Sequence, residues 1–285
     1  MNSRSMHRAA RLLAVFAALC PARAAIPAPA ESSTRDAVAP QGVWPHGAGC
    51  AVSLTYDDSL SVHHRVVAPL LDEHGLRATF YLSIHNLRDF DAWKGVAARG
   101  HELGNHSLFH PCRREPPERF DWLAEEYDLA NYSGRRFQDE LALASKVLDM
   151  LDGGRPRSYG NNCCNLTIGR GDAEQPMDPI LDKLFVAARG TVTNEPVDPA
   201  KPVYTRLGHF SGDGKTFAQL RAEIEGARAR GAWIIYMFHG VGKGTHKLLV
   251  EDEEHRALVE WLGKERGSIW TAPLVDVARH LKARE

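Results

Sequence analysis

The sequence predicts an α/β protein built as a parallel (β/α) barrel. Three observations carry that reading. Apolar, strand-like runs alternate with amphipathic helical stretches along most of the chain, the pattern of a parallel sheet. Side chains with chemistry to offer stand at the C-terminal ends of those runs, where barrels carry their sites. No glycine-rich dinucleotide turn follows the first run, so an open nucleotide-binding sheet fits less well.

Taken in order, residues 1–24 have the form of a secretory signal. Arg4, Arg8 and Arg11 precede an apolar core at 12–19, and Ala22, Arg23 and Ala24 give a small-x-small cleavage site. The core is too short to span a bilayer. Leu19 before Cys20 does not suit a lipoprotein junction, which wants a small residue. Residues 25–45, rich in Ala, Pro and Ser without periodicity, read as a linker. A single catalytic domain then spans 46–285.

Within that domain an apolar run at 51–56 reads as the first strand. A helix at 61–74 follows, with Val62, Val66, Val67, Leu70 and Leu71 on one face and Gly75 as its stop. His63 and His64, in its first turns, are expected to be solvated or to stand behind the site. Strands are expected at 77–83 and 101–105, separated by a helix at 89–99 that ends at Gly100. Residues 111–132 read as an insertion over the site. Its charges and aromatics, Trp122 and Tyr127 among them, either shape a groove or cover the barrel. The spacing then predicts helices at 135–151 (with Ser133 as N-cap), 178–184, 216–230, 251–266 and 273–284. Strands or extended segments fall at 155–159, 186–188, 203–210, 232–238 and 268–271.

Charge and cysteine content narrow the function classes. Net charge is −1, and loss of residues 1–24 removes four arginines and no acid, leaving about −5. With no basic patch, nucleic acid and anionic membrane are not expected partners. Neither stable membrane insertion nor a protein partner is implied. Outside the signal four cysteines remain: Cys50, Cys112, Cys163 and Cys164. In an exported chain they favour a bond from Cys112 to Cys163 or Cys164, pinning the segment after His110; buried free thiols are the alternative.

The chemistry concentrates at three strand ends. The first run closes on two adjacent carboxylates, Asp57 and Asp58, a pairing suited to a metal ligand beside a general base. His106 and His110, four apart after the strand at 101–105, suit two imidazoles on one ion. One aspartate and two histidines leave positions open for water and substrate, as a catalytic metal requires. The run at 232–238 ends in His239 and Gly240.

Thr55-Tyr56-Asp57-Asp58, then His106-Ser107-x-x-His110, then Phe238-His239-Gly240 resemble the polysaccharide deacetylase family (carbohydrate esterase family four) in motif, order and spacing, from about residue 49 to 281. The resemblance implies an irregular (β/α) barrel with fewer than eight units. It implies a secreted or periplasmic hydrolase that removes acetyl groups from a polysaccharide, with an N-acetylglucosamine-containing polymer as the first expectation. In that scheme Asp58, His106 and His110 hold a divalent ion, zinc. Asp57 is the general base, His239 the general acid, and the Tyr159 backbone N–H assists the oxyanion. Arg157, in a segment lacking the family's usual proline, orients the base. The family's tryptophan-bearing segment is not evident; Arg189 stands nearby in its place. Two rival readings remain: an O-acetyl esterase acting on xylan or another polysaccharide, and a carbohydrate-binding protein whose catalysis has decayed. Polymer identity, metal and oligomeric state are not readable from the residues.

Overall fold

The computed structural model describes residues 42–285. The signal and all but the end of the linker, residues 1–41, lie outside the described residues. Seven parallel strands form the barrel: β1 (Cys50–Tyr56), β2 (Thr79–Leu82), β3 (Glu102–Asn105), β4 (Tyr159–Gly160), β5 (Ala188–Val192), β6 (Leu207–Ser211) and β7 (Trp233–Phe238). Each pairs with the next, and β7 returns to β1 over the whole register from Ala51↔Trp233 to Tyr56↔Phe238, which closes the ring. An eighth strand, β8 (Ile269–Thr271), pairs only with the first half of β1, at Cys50, Ala51 and Val52. The second half, Thr55 and Tyr56, belongs to β2. The barrel is therefore irregular, with seven closing strands, as expected.

Helices α1 (Ala68–Glu73), α2 (Phe90–Ala98), α3 (Gly134–Asp152), α4 (Asp178–Leu184), α5 (Phe217–Ala229), α6 (Asp252–Lys264) and α7 (Leu274–Lys282) surround it. All lie within two residues of the expected helices; the one expected at 61–74 is helical over 61–73, with a π-helical turn, His63–Val67, leading into α1. Ser133 caps α3 by accepting from Arg136 N–H. A reciprocal pair, Thr216 with Gln219, caps α5.

Alternation along the strands separates two environments. Val52, Leu54 and Tyr56 of β1 join Phe80, Leu82, Ile234, Tyr236 and Phe238 in the apolar layer under the helices. The intervening Ser53, Thr55, Thr79, Tyr81 and Ser158 are buried too, but within a polar barrel interior. Buried polar groups need partners, and these have them. Ser53 Oγ donates to Ala272 O and accepts from Trp233 Nε1; Tyr81 Oη and Ser158 Oγ lie 2.8 Å apart. At the floor, the Glu102 carboxylate accepts from Thr79 Oγ1, Ser158 N–H, Ser158 Oγ and Val275 N–H at the start of α7. The Tyr81 ring fills the space left by two glycines. A Cβ on Gly104 would meet it at 2.4 Å and one on Gly160 at 2.5 Å, so neither position admits a side chain without displacing the ring.

Two boundaries differ instructively. The strand expected at 186–188 lies further on, as β5, and runs through Gly190 to Val192. The glycine serves close approach instead of ending the strand: a Cβ there would stand 3.0 Å from Arg206 Cα. Trp44, inside the expected linker, is buried and donates from Nε1 to Gly231 O, so the folded body starts ahead of residue 46. The 111–132 insertion carries three short 3₁₀ turns, Pro117–Phe120, Glu125–Tyr127 and Leu129–Asn131. Cys112 is bonded to Cys163, while Cys50 and Cys164 are free. No helix among the described residues is long and apolar enough to cross a membrane.

Candidate active site

Barrel closure sets Asp57 against His239 at adjacent strand ends, since Tyr56 pairs with Phe238 and Asp57 N–H donates to Phe238 O. Asp57 keeps the strand's alternation and enters the barrel. Asp58 would then point away, but it takes φ 77° and Ser59 takes φ 58°. Two successive left-handed residues without glycine are costly and turn the chain sharply. That turn brings both carboxylates to one cleft. Ser59 Oγ anchors it by donating to Ser83 O.

Asp57 is clamped by Arg189. Arg189 Nη1 donates to Asp57 Oδ1 at 2.9 Å and Nη2 to Oδ2 at 2.5 Å, a bidentate pair inside the barrel. The same Nη1 meets Thr55 Oγ1 at 2.6 Å, and the guanidinium lies 4.8 Å from the Tyr81 ring centroid. Burial pushes the Asp57 carboxyl up, but Arg189 and His106 pull it further down, to about 2. Asp57 is thus ionised throughout the physiological range.

Asp58 belongs to a different set. Its Oδ1 lies 3.5 Å from His106 Nε2 and 3.3 Å from His110 Nε2. A tetrahedral ion with bonds of about 2.0–2.2 Å sets its donors roughly 3.3–3.6 Å apart, and all three atoms lie within 4.8 Å of one another, so they can share one cation. Burial pushes the Asp58 carboxyl up, but the facing His106 and His110 outweigh it and hold the carboxyl well below its usual range. His106 Nδ1 lies 2.7 Å from Gly160 O, a bond that requires the proton on Nδ1 and leaves Nε2 free as a ligand. The histidine pair is delivered by a loop, not a helix. Ser107 and His110 both take positive φ, and Ser107 N–H to Asn105 Oδ1 and His110 N–H to Ser107 Oγ hold the turn. His110, Cys112 and Cys163 also cluster, but the two sulfurs are bonded to each other and offer no thiolate.

His239 stands opposite. Its Nδ1 is 2.6 Å from Asp213 Oδ2, its backbone N–H donates to Asp213 Oδ1, and its Nε2 faces Asp58 Oδ2 at 4.0 Å. Burial lowers the His239 pKa, but the bond to Asp213 and the charges of Asp57, Asp213 and Asp58 outweigh it and carry it to about 9. The ring is therefore protonated at neutral pH. His63 is buried, not solvated; its Nε2 bonds His239 O at 2.8 Å from the π-helical turn. His246 stacks on His239 with centroids 5.2 Å apart.

The structure thus brings together Asp57, Asp58, His106, His110 and His239. It does not bring Arg157. That side chain donates to Leu103 O and to Asp149 and Asp152 of α3, tying the helix end to the barrel wall. The arginine on Asp57 is Arg189, from β5. Nor is the Tyr159 N–H free for an oxyanion, because it donates to Ala187 O in the sheet. Asp213 was missed entirely. The available signal was an acid between Gly212 and Gly214 just beyond a strand, the same strand-end logic that found Asp57.

Comparison with known proteins gives a consistent result. The family model described as polysaccharide deacetylase matches residues 47–161. A Mycobacterium smegmatis protein assigned as a polysaccharide deacetylase superposes with a TM-score of 0.59 at 18% identity, covering 85% of this chain and 93% of that one. A Pseudomonas aeruginosa PAO1 protein similarly assigned gives 0.55 at 13% identity, covering 86% and 95%. In sequence, a gellan lyase of Bacillus sp is 29% identical over 150 residues, 53% of this chain and 5% of that protein's length.

Proposed function

Since the chain belongs, through residues 47–161, to the polysaccharide deacetylase family, we propose that it is a metal-dependent hydrolase that removes acetyl groups from a polysaccharide, first of all N-acetyl groups of an N-acetylglucosamine polymer. The observation that carries this is the division of labour around one point. A three-donor cation set at Asp58, His106 and His110 lies between a buried, ionised carboxylate and a protonated histidine. A divalent cation on that set, zinc in our reading, would act as a Lewis acid on the acyl carbonyl and lower the pKa of water.

The chain's own groups do the proton work. Asp57 Oδ2 faces the cation site, 3.8 Å from His106 Nε2, and accepts the proton of the attacking water. His239 Nε2 delivers a proton to the leaving nitrogen, which departs as the free amine when its bond to the acyl carbon breaks. Asp213 fixes His239 by Nδ1 so that the proton to be given sits on Nε2. We further place this activity outside the cytoplasm. The Cys112–Cys163 bond supports that, because oxidising compartments are where disulfides persist.

Acetate release tests the proposal. The metal-loaded chain is incubated with N-acetylglucosamine oligomers, peptidoglycan and acetylxylan, with and without chelator. Chelator-sensitive release from the amide substrates is expected. Release from acetylxylan alone would assign an ester-cleaving activity instead. Sugar binding without any release would assign a binding protein.

The pH profile gives a second expectation. His239 must be protonated to act, so activity falls as pH rises through its pKa. That limb lies between the ordinary 6.5 and about 9, because a bound cation cancels part of the Asp58 contribution. Asp213→Asn removes the strongest upward pull and leaves burial unopposed by it. Its alkaline limb should move down by at least one pH unit; an unmoved limb would remove His239 from the acid role.

A further inference from the structure

The insertion at 111–132 is a built structure with one conspicuous exception to its packing. Cys112, Phe120 and Leu123 form a small core of their own, with Tyr127 against it. The disulfide to Cys163 ties one end of it to the loop after β4. Arg113 adds a second tie, its N–H donating to Asn165 Oδ1 and its Nη2 to Thr167 Oγ1 and Gly169 O. Between buried Phe120 and Leu123 stands Trp122, 57% exposed. A tryptophan held in water by a segment that buries Phe120 and Leu123 forgoes burial that the same segment obtains for Phe120. Its position gives the reason. The indole lies against His110, centroids 5.8 Å apart at 56°, so it stands at the rim of the cleft directly beside the cation set. Phe109 stacks on Tyr127, 4.7 Å apart, and Tyr127 packs on the same small core as Phe120.

We propose that Trp122 is the stacking wall of the substrate cleft, receiving the flat face of a neutral pyranose ring next to the one whose acetyl group is removed. This rests on the carbohydrate reading above. Pyranose rings present C–H faces that match an indole's apolar, electron-rich surface. Charge sets the class of sugar. The insertion carries six acidic residues against three arginines, and Arg113 is already engaged inward, so a polyanionic chain would be repelled from this rim. Trp122 therefore determines which polymer is held, without touching the transferred protons.

Trp122→Ala and Trp122→Phe are compared with the parent chain, all loaded with zinc, on the N-acetylglucosamine tetramer and on 4-nitrophenyl acetate, an ester without a sugar. Trp122→Ala is expected to raise KM for the tetramer about tenfold, with kcat within about twofold, and Trp122→Phe to recover most of the loss. The loss on the tetramer should exceed that on the ester severalfold. Isothermal titration of the tetramer into the Asp57→Asn chain, with and without Trp122→Ala, reads the same contact without turnover. An unchanged KM, or equal losses on sugar and ester, would overturn the stacking role. Equal handling of an acetylated uronate oligomer would overturn the charge assignment. A parent chain that hydrolyses the ester but no acetylated sugar overturns the carbohydrate reading, and this proposal with it. An active parent and an unaffected Trp122→Ala remove only the stacking wall.

Discussion

Asp57→Asn is expected to lower kcat for acetate release by about 10²- to 10⁴-fold, the usual contribution of a positioned general base, while the chain still binds one equivalent of metal. The reason is the separation of the two adjacent carboxylates. Asp57 lies inside the barrel on Arg189, and only its Oδ2 edge looks toward the cation set. Asp58 supplies the donor atom shared by His106 and His110. Asparagine at 57 keeps an acceptor for Arg189 but cannot take up a proton at neutral pH. Asp58→Ala, by contrast, removes one of three donors and should lose both metal and activity. Metal content by elemental analysis, together with kcat from acetate release, separates the two. If Asp57→Asn loses metal, or Asp58→Ala keeps it and only turnover falls, the roles are reversed.

Arg189→Met is expected to be the most destabilising of these substitutions, by about 3–5 kcal/mol at pH 7, because it leaves a buried carboxylate unpaired. The pH dependence identifies the cause. In the parent chain the Asp57 pKa is depressed to about 2, so its pairing stabilises the fold above the unfolded value of 3.8 and is lost as pH falls through 2. Without Arg189, burial, the largest influence on Asp57, is opposed only by His106 and His239, and the pKa is expected to rise past its unfolded value. The sign then reverses: the variant recovers stability as acid neutralises the carboxyl, so its deficit should be smaller at pH 4 than at pH 7. The double variant Arg189→Met with Asp57→Asn removes both charges and should regain most of the loss, since replacing a whole buried pair is far cheaper than breaking it. Urea denaturation at the two pH values checks both. A deficit independent of pH and unrelieved in the double variant would show that Arg189 is needed only for packing on Tyr81.

Much of this protein was legible in its residues. Alternating runs and glycine stops placed every helix to within a couple of positions, apart from the π-helical turn. Strand-end chemistry found Asp57, Asp58, His106, His110 and His239. These features are local: period, caps, and side chains that stand where a strand runs out. The disulfide was legible only as a choice between two adjacent partners, with free thiols as the alternative, because Cys163 and Cys164 lie 51 and 52 residues from Cys112 and spacing alone does not separate them. What the sequence could not assign was partnership between distant segments. Arg157 and Arg189 are equivalent as letters, each near a predicted strand end. Only the closed ring decides that Arg157 meets α3 carboxylates while Arg189 points across the interior to Asp57. Asp213 meets His239 because β6 and β7 are neighbours in the barrel.

The chain by itself therefore determined the fold class and marked Asp57, Asp58, His106, His110 and His239 as candidates at strand ends, since each mark rests on local pattern; their division into ligand, base and acid came from the family resemblance and is proposed. Tertiary structure decided that Arg189 pairs with Asp57, that Asp213 holds His239, and that the Tyr159 N–H is spent in the sheet. Those outcomes follow from barrel register and the direction of buried side chains, and both are fixed only when the last strand pairs with the first.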